Sequence, residues 1–152
     1  MHTIAAFLGD DHRACDEIFP AAEAAASQQQ WDAAQSAFAR FAAAMAHHFA
    51  MEEDVLFPAF EDKTGMRSGP TQVMRMEHEQ MRTLMGDMNN ALAARDAGRF
   101  LGLSETLNML MQQHNIKEEN MLYPMSDRVL GTAADATVKA MQAQAMQALP
   151  QE

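Results

Sequence analysis

Cysteine is almost absent from this chain. The single Cys15 can close no internal disulfide and supplies no thiolate cluster for a structural zinc. Basic residues are also few. Eleven Lys and Arg stand against 21 Asp and Glu and leave a formal charge of -10, which repels nucleic-acid phosphates and anionic headgroups. No nucleic acid and no membrane is expected as a partner. No apolar run approaches the roughly 20 residues of a membrane span, and the stretch from Met1 to Asp11 has no basic run before its short apolar patch. A cytoplasmic protein is the expectation. Glycine (7) and proline (5) are scarce enough to sit in loops, while methionine is abundant at 15, and such a composition favours helix. The 152 residues suffice for one domain, 1–152, with its own core.

Apolar residues recur at helical spacing in four long stretches. The first runs through Ile4, Leu8, Cys15 and Phe19 to near Ser27, with Thr3 as its cap. The second, predicted as the longest helix, carries Trp31, Phe38, Phe41, Met45, His48, Glu52 and Leu56 on one face. Pro58 disfavours helical geometry at Phe57, so the helix is expected to stop there, and Glu61 to Gly69 reads as the only extended loop. Pro70 opens a third helix with Met74, His78, Met81, Met85, Met88 and Leu92, which Gly98 is expected to stop. The fourth carries Leu103, Leu107, Leu110, His114, Glu118, Met121 and Met125 until Pro124 and Gly131 end it. A last, shorter helix with Val138, Met141, Ala145 and Leu149 could lie across the bundle or against a second subunit. The predicted architecture is all-α, an up-down four-helix bundle with a short additional C-terminal helix.

The most informative feature is an internal repeat. His48-Phe-Ala-Met-Glu52-Glu53-Asp-Val-Leu56-Phe57-Pro58 aligns with His114-Asn-Ile-Lys-Glu118-Glu119-Asn-Met-Leu122-Tyr123-Pro124. Histidine, both glutamates, leucine, an aromatic and proline coincide. The repeated His-x-x-x-Glu puts imidazole and carboxylate one turn apart on the apolar face, about 6 Å between Cβ atoms. A carboxylate buried there without a partner would neutralise or unfold the site, so positive charge is expected between the helices.

His12 and His78 occupy the seam positions of the other two helices. A lone buried histidine is more often a core residue than a ligand, but six such groups from four helices reverse that reading. His12, His48, Glu52, His78, His114 and Glu118 form a donor set for a pair of first-row ions, in which imidazole favours iron over magnesium or calcium. Zinc rarely needs six ligands. Ferritin-like bundles carry Glu-x-x-His instead, with the carboxylate first.

Other candidates fall outside the set. His2 lies at the terminus, and His47 points about 100° away from His48. Glu53 and Glu119 are one residue off register and are expected to face solvent or cap local charge, with Glu119 the alternative to Glu118. Asp16 belongs to a generally acidic stretch. Cys15 reads as a small buried hydrophobe, and the methionines at 74, 81, 85, 88, 121 and 125 read as packing.

These residues resemble the hemerythrin-like, or HHE cation-binding, family over nearly the whole chain. Asp11-His12, His48-Phe-x-x-Glu52-Glu53 running to Leu-Phe-Pro, Gly69-Pro-x-x-Val-Met-x-x-Glu77-His78 and His114-x-x-x-Glu118 are similar especially to the bacterial proteins called repair of iron centres. The resemblance implies an oxo- or hydroxo-bridged centre of two iron ions inside the bundle, held by His12, His48, Glu52, His78, His114 and Glu118. Oxygen-carrying relatives place a further histidine where this chain has Met74, and end with His-x-x-x-x-Asp. Two six-coordinate irons offer about twelve positions; four histidines, two bridging carboxylates and the bridge fill about ten and leave about two. The expected function is binding or sensing of a small ligand, O2, NO, peroxide or iron itself, in iron-centre protection. The alternative is an enzyme turning over peroxide or NO. A homodimer could form through the C-terminal helix.

Overall fold

The computed structural model describes residues 2–148, with side chains to residue 144. Helix α1 spans Ile4–Ser27 and begins as expected, the Thr3 hydroxyl accepting from the Ala6 N–H at 3.1 Å. Helix α2 spans Trp31–Met51 and runs through a π-helical segment, Glu52–Leu56, into α3, Phe57–Thr64. After a short loop come α4, Pro70–Ala93, and α5, Ala97–Lys117. The second rod repeats the first: α5 passes through a π segment, Glu118–Leu122, into α6, Tyr123–Leu130. Helix α7, Ala133–Ala148, closes the described chain.

Pro58 and Pro124 do not stop their helices, contrary to expectation. A proline ring inside a regular helix removes a hydrogen bond and clashes with the carbonyl four residues back. Here each proline follows a widened turn, closed by the Phe57 N–H donating to the Glu52 carbonyl and the Tyr123 N–H to the Glu118 carbonyl, so both prolines fall in the first turn of α3 and α6. The first rod therefore extends to Thr64, the second rod matches its length, and the loop shrinks to residues 65–69. Gly65 ends α3 in the left-handed conformation (φ 74°) and donates to the Glu61 carbonyl at 2.8 Å. Gly98 stops nothing. It lies inside α5, because the turn is made by Arg95 at φ 55° and Asp96 caps α5 by accepting from Arg99 N–H.

Each π turn also adds a residue to its rod, and the face downstream changes. Met121, predicted on the seam, is 61 % exposed, while Leu122 and Tyr123 are buried. Leu103, Leu110 and Met125 are only partly buried, and Phe100, Ser104, Leu107 and Met111 carry the inner face of α5.

The four rods pack α1 against α2, α2 against α4, α4 against α5 and α5 against α1, an up-down bundle. Its core has two apolar regions. One holds Cys15, Phe38, Phe41, Met45, Phe49, Met81, Met85 and Met111, the other Leu8, Met51, Leu56, Phe57, Met74, Leu122 and Tyr123. The buried histidines and glutamates fall between them on every rod: Leu8, His12, Cys15 on α1; Met74, His78, Met81 on α4. Helix α7 lies across its own bundle, with Val138 and Met141 fully buried in the second region. Leu149 and the side chain of Ala145, predicted on the same face, lie outside the described residues. Among the described residues no helix is long and apolar enough to cross a membrane.

Candidate metal centre

The structure brings all six sequence-predicted residues into one buried layer. His12, His48, Glu52 and Glu118 form one cluster and Glu52, His78, His114 and Glu118 a second; either can hold a metal ion, and the two glutamates belong to both. Glu52 Oε1 lies 3.4 Å from His48 Nε2 and 3.2 Å from His78 Nε2. Glu118 Oε1 lies 3.1 Å from the Nε2 of both His12 and His114. Glu52, Glu118 and His78 are fully buried and the other three nearly so.

The other ring nitrogen of each imidazole faces a different carboxylate. His48 Nδ1 donates to Asp11 (2.7 Å), His78 Nδ1 to Glu53 (2.7 Å) and His114 Nδ1 to Glu77 (2.8 Å). Glu119 stands 3.4 Å from His12 Nδ1. An ionised carboxylate only accepts, so at His48, His78 and His114 these contacts keep a proton on Nδ1 and leave Nε2 as the atom a metal would take, while His12 Nδ1 is buried without a hydrogen bond. The pattern closes on itself, since α1 reaches α2, the first π segment reaches α4, α4 reaches α5, and the second π segment reaches α1. Two cations brace it. Arg82 grips Glu53 with both terminal nitrogens (2.8 and 2.9 Å) while lying over the Phe49 ring, and Lys117 pairs with Glu77.

This narrows the expectation for Glu53 and Glu119 to the second of its two roles, the capping of local charge. Neither simply faces solvent; one residue off register along a helix leaves a side chain at the edge of the seam, where it reaches the next helix's imidazole. Asp11 and Glu77 were not predicted to act this way. The signal was present in the chain: each of the four carboxylates adjoins a predicted ligand, Asp11 beside His12, Glu53 beside Glu52, Glu77 beside His78, Glu119 beside Glu118.

Electrostatics show what the layer demands. Burial opposes charge on His48, yet facing Glu52 and the bond to Asp11 carry its pKa well above the ordinary value. Burial likewise opposes charge on His78 and His114, but Glu52 and Glu53 raise the first, and Glu118 raises the second to about 9. Burial works against Glu53 too, but His78 and Arg82 lower its carboxyl to about 2. The carboxylates draw positive charge into the layer, as protons when nothing else supplies it. Several inward atoms, Nε2 of His78 and His114, Oε1 of Glu52 and Oε2 of Glu118, are buried without a hydrogen-bond partner. Buried polar atoms left so are costly, and imidazole nitrogens beside carboxylate oxygens are donors a first-row ion takes. The residues fit such an ion.

Sequence reasoning missed Tyr123. Its ring is fully buried and its hydroxyl donates to Glu52 Oε2 at 2.7 Å, with Glu118 Oε1 at 3.0 Å. Burial, then the charges of Glu118 and Glu52, push that phenol well above its ordinary pKa. Only the aromatic match between Phe57 and Tyr123 in the repeat hinted at it. Outside the layer, His47 is half-buried, His2 is exposed, and Asp16 is half-buried and belongs to neither cluster. Burial, with Asp11, Asp16 and Glu52 nearby, pushes the Cys15 thiol up to about 12.

Fold and site together define a metal-binding four-helix bundle with two adjoining His/Glu clusters. The chain belongs to the hemerythrin HHE cation-binding domain family, whose model matches residues 3–126. Comparisons with curated proteins and with solved structures give no match.

Proposed function

We propose that the chain holds two iron ions side by side, with Glu52 and Glu118 between them, and uses them to bind or sense O2, NO or peroxide in the protection of iron centres. Charge is the observation that carries this reading. Six carboxylates approach the four imidazoles: Glu52 and Glu118 at the centre, Asp11, Glu53, Glu77 and Glu119 around it. Arg82 and Lys117 offset two of these charges. Two divalent ions balance the remaining four, in a layer whose two central carboxylates are fully buried among apolar side chains. Imidazole favours iron over magnesium and calcium, and six ligands exceed what one zinc takes.

Bound iron would supply redox and Lewis-acid chemistry that these side chains lack. The chain's own groups would do the rest. The four imidazoles present Nε2 inward, Asp11, Glu53 and Glu77 fix the tautomer and angle of His48, His78 and His114, and the two apolar regions exclude water from either side. A cavity of about 190 Å³ supports a small, weakly polar ligand. Val73, Met74, Met121, Leu122 and Met125 line it, and the one charged side chain in its wall, Lys117, is engaged by Glu77. Met74 and Leu122 stand one turn from His78 and Glu118.

Metal analysis with optical spectra of aerobically purified protein tests the proposal, followed by peroxide and NO titration. Two irons per chain with stoichiometric bleaching or adduct formation would support it. Steady oxygen evolution from peroxide would make the protein an enzyme instead, and one tightly held zinc would overturn the reading altogether.

A further inference from the structure

The two clusters are not equivalent, and the difference is one oxygen atom. In the first repeat Phe57 stacks on His78, ring centroids 5.7 Å apart at 27°. In the second, Tyr123 stacks on His12 at 5.5 Å and 28°. Both aromatics stand five residues after their glutamate, and both are turned inward by the same π segment. In a regular helix that offset would place them about 140° from the glutamate's face. The Tyr123 hydroxyl is therefore an addition to one cluster that the Phe57 ring cannot make to the other.

We propose that Tyr123 is a further metal-binding residue, giving its phenol oxygen to the ion between His12 and His48, so that the ion between His78 and His114 is the one that takes the small ligand. This rests on the two-iron reading above. The geometry carries it. The Tyr123 oxygen lies 2.7 Å from Glu52 Oε2, 3.0 Å from Glu118 Oε1, 3.1 Å from His12 Nε2 and 3.4 Å from His48 Nε2. Those are one donor atom from each member of the first cluster. Neighbouring ligands of a single octahedral ion, each about 2.1 Å from it, stand about 3.0 Å apart, so the phenol oxygen sits at the spacing of a fifth ligand. A hydroxyl that served only as a hydrogen-bond donor needs one acceptor; this one is surrounded by four ligand atoms. As the ion enters, the O–H bond breaks, an oxygen–metal bond forms and the proton passes to the buffer. Counted this way, the two open positions inferred from sequence fall to about one, on the Phe57 side.

Tyr123 is the only tyrosine in the chain, which makes the test direct. Protein loaded with ferric iron, with and without ring-deuterated tyrosine, is measured for iron content, visible absorption and resonance Raman scattering. The expected result is a visible charge-transfer band with tyrosinate ring modes that shift on deuteration. In Tyr123→Phe the band should vanish. Should that variant lose iron, the labelled native protein alone still decides. Two irons per chain without tyrosinate modes would overturn this proposal and leave the two-iron reading standing; a chain that takes up no iron would overturn both. Azide, as a small-anion probe, should bind once per chain, and Phe57→Tyr should abolish that binding with a second tyrosinate signal. Azide binding twice per native chain would refute the assignment of the open position.

Discussion

At the scale of single residues, the unusual economy lies in the carboxylates that adjoin the buried residues of the two His/Glu clusters. Each side chain of the pairs Asp11-His12, Glu52-Glu53, Glu77-His78 and Glu118-Glu119 points to a different place because consecutive helical residues are about 100° apart. One member enters the central layer and the other reaches the imidazole of the adjacent rod. Glu53→Ala removes the acceptor for His78 Nδ1 and leaves Arg82 paired with Glu79 alone; metal affinity, measured by competition with a chelator, should fall about 10- to 100-fold without disappearing. Unchanged affinity would show that packing between Phe49 and Phe57 holds His78 by itself. Cys15 behaves in the opposite manner. With its thiol pushed up to about 12 by burial and neighbouring carboxylates, almost no thiolate forms at neutral pH. A disulfide reagent should leave the folded protein unlabelled over hours and label one thiol in denaturant; rapid labelling of native protein would contradict the packing.

Among the elements, the π segments have the largest consequences. They let Pro58 and Pro124 follow the site without a break and rotate the downstream faces, so Leu122 is packed and Met121 is left outside. Denaturant titration should therefore separate these neighbours. Leu122→Ala should cost about 2–4 kcal/mol through the cavity it leaves, and Met121→Ala no more than about 0.5 kcal/mol. Comparable costs at the two positions would show that Met121 also packs against the core. A second element-scale device joins the chain's ends. The Asp127 carboxylate of α6 accepts from the Ile4 N–H at 2.8 Å and the Ala5 N–H at 3.1 Å, capping the first turn of α1 from outside it. Asp127→Ala should cost about 1–2 kcal/mol and speed amide exchange at the start of α1 while leaving exchange in α4 unchanged.

The whole molecule is built around a layer whose charge has to be balanced, and its stability should report how. In chelated protein His48, His78 and His114, raised by the carboxylates that face them, hold protons in the metal's place. His114, raised in the folded state from its ordinary 6.5 to about 9, contributes stability that is complete below pH 6.5 and lost as pH rises through 9. Denaturation of chelated protein should show that decline across the interval, and stability rising from pH 6.5 to 9 would contradict the geometry at Glu118. Iron-loaded protein should behave differently, because ions replace those protons: its loading weakens in acid, where protons compete for the ligands. At a thousandfold excess of metal over its dissociation constant, binding stabilises the fold by about 4 kcal/mol, so a chelator should lower Tm by several degrees.

The chain's own pattern determined the bundle, because a period of 3.6 in apolar residues leaves four amphipathic rods no other way to bury their faces. It also determined the six central donors, since His-x-x-x-Glu stands on one helical face in any regular helix and the repeat marks which face. Tertiary structure decided the rest. Proline disfavours helix at the residue before it, and at Phe57 and Tyr123 a widened turn accommodates the ring. That single added residue cannot be read from spacing, yet it moved Met121 out and Tyr123 in. The partners of His12, His48, His78 and His114 lie on other helices, at sequence separations that periodicity along one rod does not register. Which carboxylate holds which imidazole is a property of how the rods adjoin, and so is the hydroxyl that makes the two halves of a repeated sequence unequal.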